Sequence, residues 1–304
     1  MLDGARIADE IKREVADDVA RLISNHGVRP GLVVVQVGDD PASTVYVKNK
    51  VRTSRELGLF SERHALAVGT TTEELLDLVA QLNARETVDG VLVQLPLPSG
   101  VDEARVLEAV DPAKDVDGFH PINVGRLSLG QPTLAPCTPA GVIELLVRSG
   151  IAIGRTNACV VGRSHIVGRP LAQLLLQRDA TVTICHSRTR DLASVTRQAD
   201  ILVVAIGRAG FIRAQHIKQG ATVIDVGMNK VADIAVARDL FGADAERRLE
   251  IIARRGYTLV GDVHPAEADE VAGRRTPVPG GVGLLTVAML MRNTVTAARR
   301  RRGL

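Results

Sequence analysis

Apolar positions at Ile7, Ile11, Val15, Val19 and Leu22 recur with a helical period and predict an amphipathic helix over residues 5–24. An apolar run over 32–37, interrupted only at Gln36, predicts a buried strand, and the turn at Gly38 to Pro41 leads into a helix over 42–57. A weaker strand near 63–67 follows, then a helix over 72–83 opened by Thr-Glu-Glu, a strand over 90–95 and a short helix over 102–110. This β-α-β-α alternation predicts a parallel sheet with helices on its faces. Residues 111–139 break the periodicity and are predicted as loop. Alternation resumes with a helix over 139–148, a strand over 157–161, a helix over 167–177 and a strand over 181–185. A helix over 191–198 and strands over 201–205 and 222–225 complete a nucleotide-binding type of sheet. A charged helix over 234–255 and a final amphipathic helix over 284–300 close the chain, which contains no internal repeat.

The 304 residues leave room for two domains. Hydrophobic content of 45% with 24% charge is ordinary for a globular chain, but aromatics at 2% are scarce. The cores must therefore be packed by Val, Leu, Ile and Ala, which suits parallel sheets covered by helices. Cys137, Cys159 and Cys185 are widely spaced without a Cys-x-x-Cys pair, against a zinc site or a disulfide framework. Cys159 and Cys185 read as small core residues. The histidines lack metal-ligand spacing, so no metal is expected. The N-terminus has no apolar core of a signal peptide and no window approaches a transmembrane length. These features predict a cytoplasmic protein with no membrane partner. Net charge is +3, part of it from the arginines at 299–302. No basic domain accompanies them, so nucleic acid is not an expected partner and the cluster reads as a frayed, solvated helix end.

Candidate chemistry concentrates in a few stretches. On the helix over 42–57, Ser43, Tyr46 and Lys50 share one face at i, i+3 and i+7. With two tyrosines and no tryptophan in the chain, an aromatic beside a lysine is notable, although Lys48, Lys50, Arg52 and Arg55 also fit a solvated face. Gln94 ends an apolar strand, where α/β sheets bind ligands. Asp115 and Asp117 stand two residues apart, so an extended backbone sends them to opposite sides; one can face a cleft while the other organises the loop, or both belong to an Asx-turn. The sequence VVGRSHIVGRP places Gly162, Ser164 and Gly168 between a strand and a helix N-terminus, a place for a phosphate or a plain turn. The next strand ends Cys185-His186-Ser187-Arg188 without the carboxylate that holds an NAD ribose. Arg163, Ser187 and Arg188 can instead surround a 2′-phosphate, which favours NADP. The sequence TPVPGGVG, with Pro279, Gly280 and Gly281, combines rigid and permissive backbone and suggests the wall of a site.

Taken together, these motifs resemble the bifunctional methylenetetrahydrofolate dehydrogenase/cyclohydrolase (FolD) family. The matching stretches are S-x-x-YV-x-x-K over 43–50, VQLPLP over 93–98, KDVDGFHPxNxGRL over 114–127 and PCTPAG over 136–141. VVGRSxIVGRP over 160–170, CHSRT over 185–189, IDVGMN over 224–229, GDV over 261–263 and TPVPGGVG over 276–283 continue in family order. The resemblance implies a two-domain α/β protein: a folate-binding catalytic domain over 1–138 plus 281–304, and an NADP-binding Rossmann domain over 139–280. It implies that the last helix packs back on the first domain, that the cleft lies between the domains, and that a homodimer forms through the Rossmann domains. Lys50 is then the central catalytic group, with Gln94 its hydrogen-bond partner and Tyr46 stacking on the folate ring system. Asp117 anchors the pterin, Ser43 supports the lysine side, and Pro279, Gly280 and Gly281 contact substrate. Gly162, Arg163, Ser164, Gly168, His186, Ser187, Arg188, Gly207 and Gly227 carry over as cofactor-binding positions.

The implied chemistry is oxidation of 5,10-methylenetetrahydrofolate with NADP+ and hydrolysis of the methenyl product to 10-formyltetrahydrofolate. A lysine beside a cation and partly out of water gives up its proton more readily, so Lys50 is expected to manage protons in the hydrolytic step, while hydride transfer depends on positioning. Three departures from the family pattern stand out. Residues 231–256 are longer than the usual short hairpin, Leu284-Leu285 replaces the usual Pro-Met after GGVG, and His264-Pro265 follows GDV. Loss of that proline is expected to loosen the helix start and weaken the dehydrogenase step. A single-activity enzyme, or a folate- or nucleotide-binding protein without chemistry, is the alternative.

Overall fold

The computed structural model describes residues 1–304, apart from the side chains of Pro41 and Ala42. The chain divides into two compact units, one of Ala8–Cys137 with Thr286–Leu304, the other of Met1–Ile7 with Thr138–Leu285. The elements are α1 (Gly4–His26), β1 (Gly31–Val37), α2 (Pro41–Glu56), β2 (Phe60–Leu66), α3 (Thr72–Ala84), β3 (Gly90–Val93) and α4 (Glu103–Ala109). Then come α5 (Pro121–Ser128), α6 (Cys137–Arg148), β4 (Asn157–Val161), α7 (Gly168–Leu176), β5 (Thr181–Cys185), α8 (Leu192–Thr196), β6 (Ile201–Val204) and β7 (Thr222–Asp225). The chain ends with β8 (Asn229–Val231), α9 (Ile234–Phe241), α10 (Ala245–Arg255), β9 (Thr258–Val260), α11 (Pro265–Val271), β10 (Arg274–Arg275) and α12 (Val282–Arg302).

In the N-terminal unit β1 is the centre of a three-stranded sheet, ordered β2-β1-β3 and parallel throughout. Its residues are buried on both faces, which explains the apolar run; the buried Gln36 in it donates to Thr44 Oγ1 at 2.9 Å. On one face Val33, Val35, Val91 and Val93 pack against Leu75, Val79 and Leu82 of α3 and Val106 of α4. A reciprocal cap fixes the start of α3, with Thr71 accepting from the Glu74 amide while Glu74 accepts from the Thr71 amide. The last helix packs onto this unit as expected: Asn293 Nδ2 donates to the carbonyls of Val116 (2.8 Å) and Ala135 (2.9 Å).

Its terminal arginines correct the sequence reading. They are not a frayed, solvated end: Arg301 donates to the fully buried Asp89 at 2.6 Å, Arg302 also pairs with Asp89, and Arg299 pairs with Asp18 at 2.8 Å. Asp89 also accepts from the Gly31 amide, so the two guanidinium groups neutralise a carboxylate that sets the start of β1. The loop over 111–139 likewise contains a helix, α5, that periodicity did not reveal. Its signal is local: His120 Nδ1 accepts from the Ile122 amide as N-cap, and Pro121 follows it.

In the C-terminal unit five parallel strands take the order β10-β7-β6-β4-β5. The order reverses between β4 and β6, and that crevice is where doubly wound sheets bind ligands. Cys159 and Cys185 lie in the core of this sheet, as expected, with Val161, Leu202, Val204 and Val223. The charged segment 234–255 is two helices rather than one. Gly242, at φ 51°, ends α9, and α10 starts after Asp244. Phe241, Leu240, Ala245 and Ile252 close a small core of their own with Val231 and Val260 on the antiparallel pair β8 and β9. The short elements α11 and β10 were also missed, since neither is long enough to show a period.

Candidate active site

In the N-terminal unit α2 begins with Asp40, whose carboxylate accepts from the Ser43 amide at 2.7 Å. One face of this helix carries buried Ser43 and Lys50 with half-exposed Tyr46; Lys48 and Arg52 lie on the solvent side. Lys50 Nζ donates to Gln94 Oε1 at 3.0 Å. Gln94 follows β3, where its amide bonds the Val35 carbonyl at 2.8 Å and its Nε2 donates to the Leu95 carbonyl at 2.6 Å. Both ends of the Gln94 side chain are thus fixed, and its oxygen is left pointing at the lysine.

The two aspartates divide as an extended backbone allows. Asp115 organises the loop, accepting from the amides of Gly118 (3.1 Å) and His120 (2.8 Å) and from Asn123 Nδ2 (2.9 Å). Asp117 faces Lys50 instead. Burial pushes the Asp117 carboxyl up to about 6, the Lys50 charge pulls it down, and Asp115 adds to the upward shift. Gly118 turns the chain at φ 73°, and a Cβ there would lie 2.7 Å from the Leu134 carbonyl oxygen. Cys137 borders the same group, its thiol driven well up by burial and by the charge on Asp117. Lys114 is a residue whose role sequence reasoning missed: nearly fully buried, it donates to the carbonyls of Leu82, Asn83 and Arg85 and closes the end of α3. Burial lowers its pKa to about 8.

In the C-terminal unit Gly162 ends β4 at φ 128°. A Cβ there would come within 2.2 Å of the Ala205 carbonyl oxygen, and one on Gly168 within 2.1 Å of the Gly162 carbonyl oxygen, so only glycine lets these loops approach. Ser164 Oγ accepts from the amides of Val167 (3.2 Å) and Gly168 (3.4 Å) at the start of α7. A cavity of about 430 Å³ opens at the switch point, lined among others by Gly162, Arg163, His186, Ser187, Arg208 and Phe211. The exposed Arg188 follows this wall, its amide donating to His186 Nδ1 at 3.1 Å.

Two carboxylates that the sequence reading left unassigned hold these loops. Asp262 accepts from the amides of Ile206 (2.6 Å), Gly207 (2.9 Å) and Arg208 (2.8 Å), and Asp225 from those of Gly227 (3.0 Å), Asp262 (2.8 Å) and Val263 (2.9 Å). Burial pushes Asp225 up to about 7, against the pull of those amides. Their signal lay in the strand-end Asp of IDVGMN and GDV. Gly227 has no room for a side chain, because a Cβ would sit 2.3 Å from the Asp262 carboxylate. Beyond Asp225, Thr276 Oγ1 accepts from its amide at 2.8 Å and starts the loop that carries Pro279, Gly280 and Gly281. Gly280 adopts φ 103°, and Gly281 lies against Gly4. The start of α12 is formed without the usual proline: Leu285 is fully buried against Gly141, and Leu284 is exposed. His264 caps α11, accepting from the Glu267 amide.

A Rossmann-type crevice with a tight glycine turn in one unit, and a buried lysine with an amide and a carboxylate beside it in the other, mark a nucleotide-dependent enzyme. The model of the tetrahydrofolate dehydrogenase/cyclohydrolase catalytic domain matches residues 2–117, and that of the family's NAD(P)-binding domain matches residues 136–302. A bifunctional protein FolD of Koribacter versatilis is 56% identical over 100% of this chain and 98% of its own. The FolD structure from Campylobacter jejuni is 41% identical with a TM-score of 0.89, covering 99% of this chain and 98% of that one. The Trypanosoma brucei FolD, complexed with NADP cofactor and inhibitor, is 38% identical with a TM-score of 0.90, covering 100% and 98%. The chain belongs to the tetrahydrofolate dehydrogenase/cyclohydrolase family.

The Asp117–Lys50 coupling has a measurable sign. Between about pH 4 and pH 6 the native state retains a proton on Asp117 that the unfolded chain has released, so its contribution to stability falls as pH rises through that window. In Lys50→Met the downward pull is gone, and carboxyl NMR should find Asp117 titrating above its wild-type value. An unmoved titration would mean that the two side chains do not face each other.

Proposed function

We propose that this chain oxidises 5,10-methylenetetrahydrofolate with NADP+ to the methenyl form and hydrolyses that to 10-formyltetrahydrofolate. The observation that carries this reading is Lys50, buried and held at 3.0 Å by Gln94, in a chain matched by the family's models over both halves. A binding protein without chemistry would have no need of a lysine so placed. Bound NADP+ supplies the hydride acceptor for the one-carbon bridge. The glycine cradle at Gly162 and Gly168 fits such a cofactor, since a side chain at either would collide with backbone. Ser164, Gly207 and Gly227 support the loops around it, and His186 lines its pocket. Arg163, Ser187 and Arg188 supply donors for the 2′-phosphate, a role read as the ratio of KM for NADP+ to that for NAD+ in Arg188→Ser.

On the folate side, Tyr46 gives the ring system a flat platform and Asp117 accepts from the pterin N–H donors. Ser43 supports the lysine side, and Pro279, Gly280 and Gly281 form a substrate-contacting loop. Water adds to the methenyl carbon and loses one proton to leave a hydroxyl adduct; the hydroxyl then gives up its second proton as the C=O forms and the bond to N5 breaks, N5 is protonated, and one proton is released overall. Lys50 manages these transfers, with Gln94 fixing its Nζ. We assign the folate domain to 1–138 plus 281–304 and the cofactor domain to 139–280.

A homodimer through the second of these domains is supported by β5, an edge strand with exposed Ile184. Ile184→Asp should therefore halve the mass found by sedimentation equilibrium. No helix among the described residues is long and apolar enough to cross a membrane, and the three cysteines are free and buried, which supports a reducing compartment such as the cytoplasm. The product is a one-carbon donor of the kind purine synthesis consumes, and the folate substrate is one that can carry a polyglutamate tail.

Lys50→Met should lower methenyl hydrolysis by about 100-fold or more, the scale of a lost proton-transfer group. Hydrolysis at the wild-type rate would remove Lys50 from the chemistry.

A further inference from the structure

Residues 231–256, which the sequence reading singled out as longer than a short hairpin, form the end of β8, α9 and α10, and the assignment above gives them no role. The structure places α9 and α10 beside the loop that follows Thr276. A cavity of about 130 Å³ separates the two, lined by Phe241, Asp244 and Arg248 on one side and by Thr276, Pro277 and Val278 on the other. Arg248 spans it. Its Nη2 donates to the Val278 carbonyl at 3.2 Å, and its guanidinium carbon lies 4.5 Å from the centre of the Phe241 ring. The ring packs one face of the guanidinium, so the fork is aimed before the loop arrives.

The loop itself is pinned at both ends. Thr276 bonds the Asp225 amide at 2.8 Å, and Gly281 is in close contact with Gly4. Between these anchors lie two prolines and Gly280 at φ 103°, a stretch without regular secondary structure to hold it. Arg248 grips the middle of that stretch, one residue before Pro279. A half-buried guanidinium bonded to a carbonyl costs desolvation, which it recovers only while the loop is in place.

We propose that Arg248 is a positioning residue for substrate: helices α9 and α10 brace the loop over 277–281 through its contact with the Val278 carbonyl. This rests on the assignment of Pro279, Gly280 and Gly281 to folate contact. The brace acts on folate binding and leaves the cofactor pocket alone, because the residues lining that pocket make no use of Arg248.

Two readouts separate the parts of this claim. In Arg248→Ala without substrate, backbone amide hydrogen exchange at Gly280 and Gly281 should quicken at least about fivefold, the scale of one ordinary hydrogen bond lost. The KM for methylenetetrahydrofolate should rise about five- to tenfold, while kcat and the KM for NADP+ stay within about twofold. Arg248→Lys, which keeps a donor, should restore most of the wild-type exchange and folate KM; if the alanine variant does not fold, Arg248→Met, which keeps the apolar stem without a donor, should show the same two losses, and wild-type behaviour in it would overturn the brace. Unchanged exchange in the alanine variant, or equal losses in both KM values and kcat, would overturn the brace. Faster exchange with an unchanged folate KM would leave the brace standing and overturn the loop's substrate role.

Discussion

A lysine drawn almost out of water must be held by something, and the N-terminal unit is built to hold Lys50. Gln94 can do so because β3 ends one residue before it, and because its own Nε2 is occupied by the Leu95 carbonyl. Asp117 can face the lysine because Asp115 takes over the loop's amides and Gly118 turns the chain beneath it. Further out, Lys114 ties that loop to the end of α3, and Asn293 of the last helix ties it to the carbonyls of Val116 and Ala135. Each of these contacts fixes backbone rather than chemistry. Their sum is one ammonium with a neutral acceptor on one side and a carboxylate nearby, which suits a group that must pass a proton rather than simply carry charge.

The C-terminal unit solves a different problem, bringing three loop ends together at the crevice between β4 and β6. Glycine permits the approach at Gly162 and Gly168, but permission alone does not hold a loop. Asp262 and Asp225 do the holding, accepting six backbone amides between them from the segments after β6, β7 and β9. Taking two carboxylates out of water is costly, and the upward shift of Asp225 to about 7, driven first by its burial and then by the nearby Asp262 charge, records that cost. The helices α9 and α10 grow from this same region without disturbing it, since their small core is closed on itself by β8 and β9.

Much of this was legible from periodicity and from strand-end residues. The buried strands read as apolar runs, and Gln94 stood out as a polar side chain at a strand end, whereas Tyr46, Lys50 and Asp117, each open on its own to a solvated helix face or a turn, were singled out by the family resemblance. What escaped was governed by single contacts rather than by pattern. The arginines of α12 looked solvated until a distant acid, Asp89, was folded beneath them. The helix α5 depends on a histidine cap, and the break between α9 and α10 depends on one glycine in a left-handed turn. Asp225 and Asp262 sat in quoted motifs yet gave no hint of their targets, because the amides they bind come from other segments of the chain.

The most direct test is to give the wild-type chain methylenetetrahydrofolate and NADP+ and follow NADPH together with methenyl absorbance. A single active lysine site predicts that NADPH rises while methenyl does not accumulate. Steady build-up of methenyl at the rate of NADPH formation would contradict the account, because Lys50 would then stand in a site that does not hydrolyse.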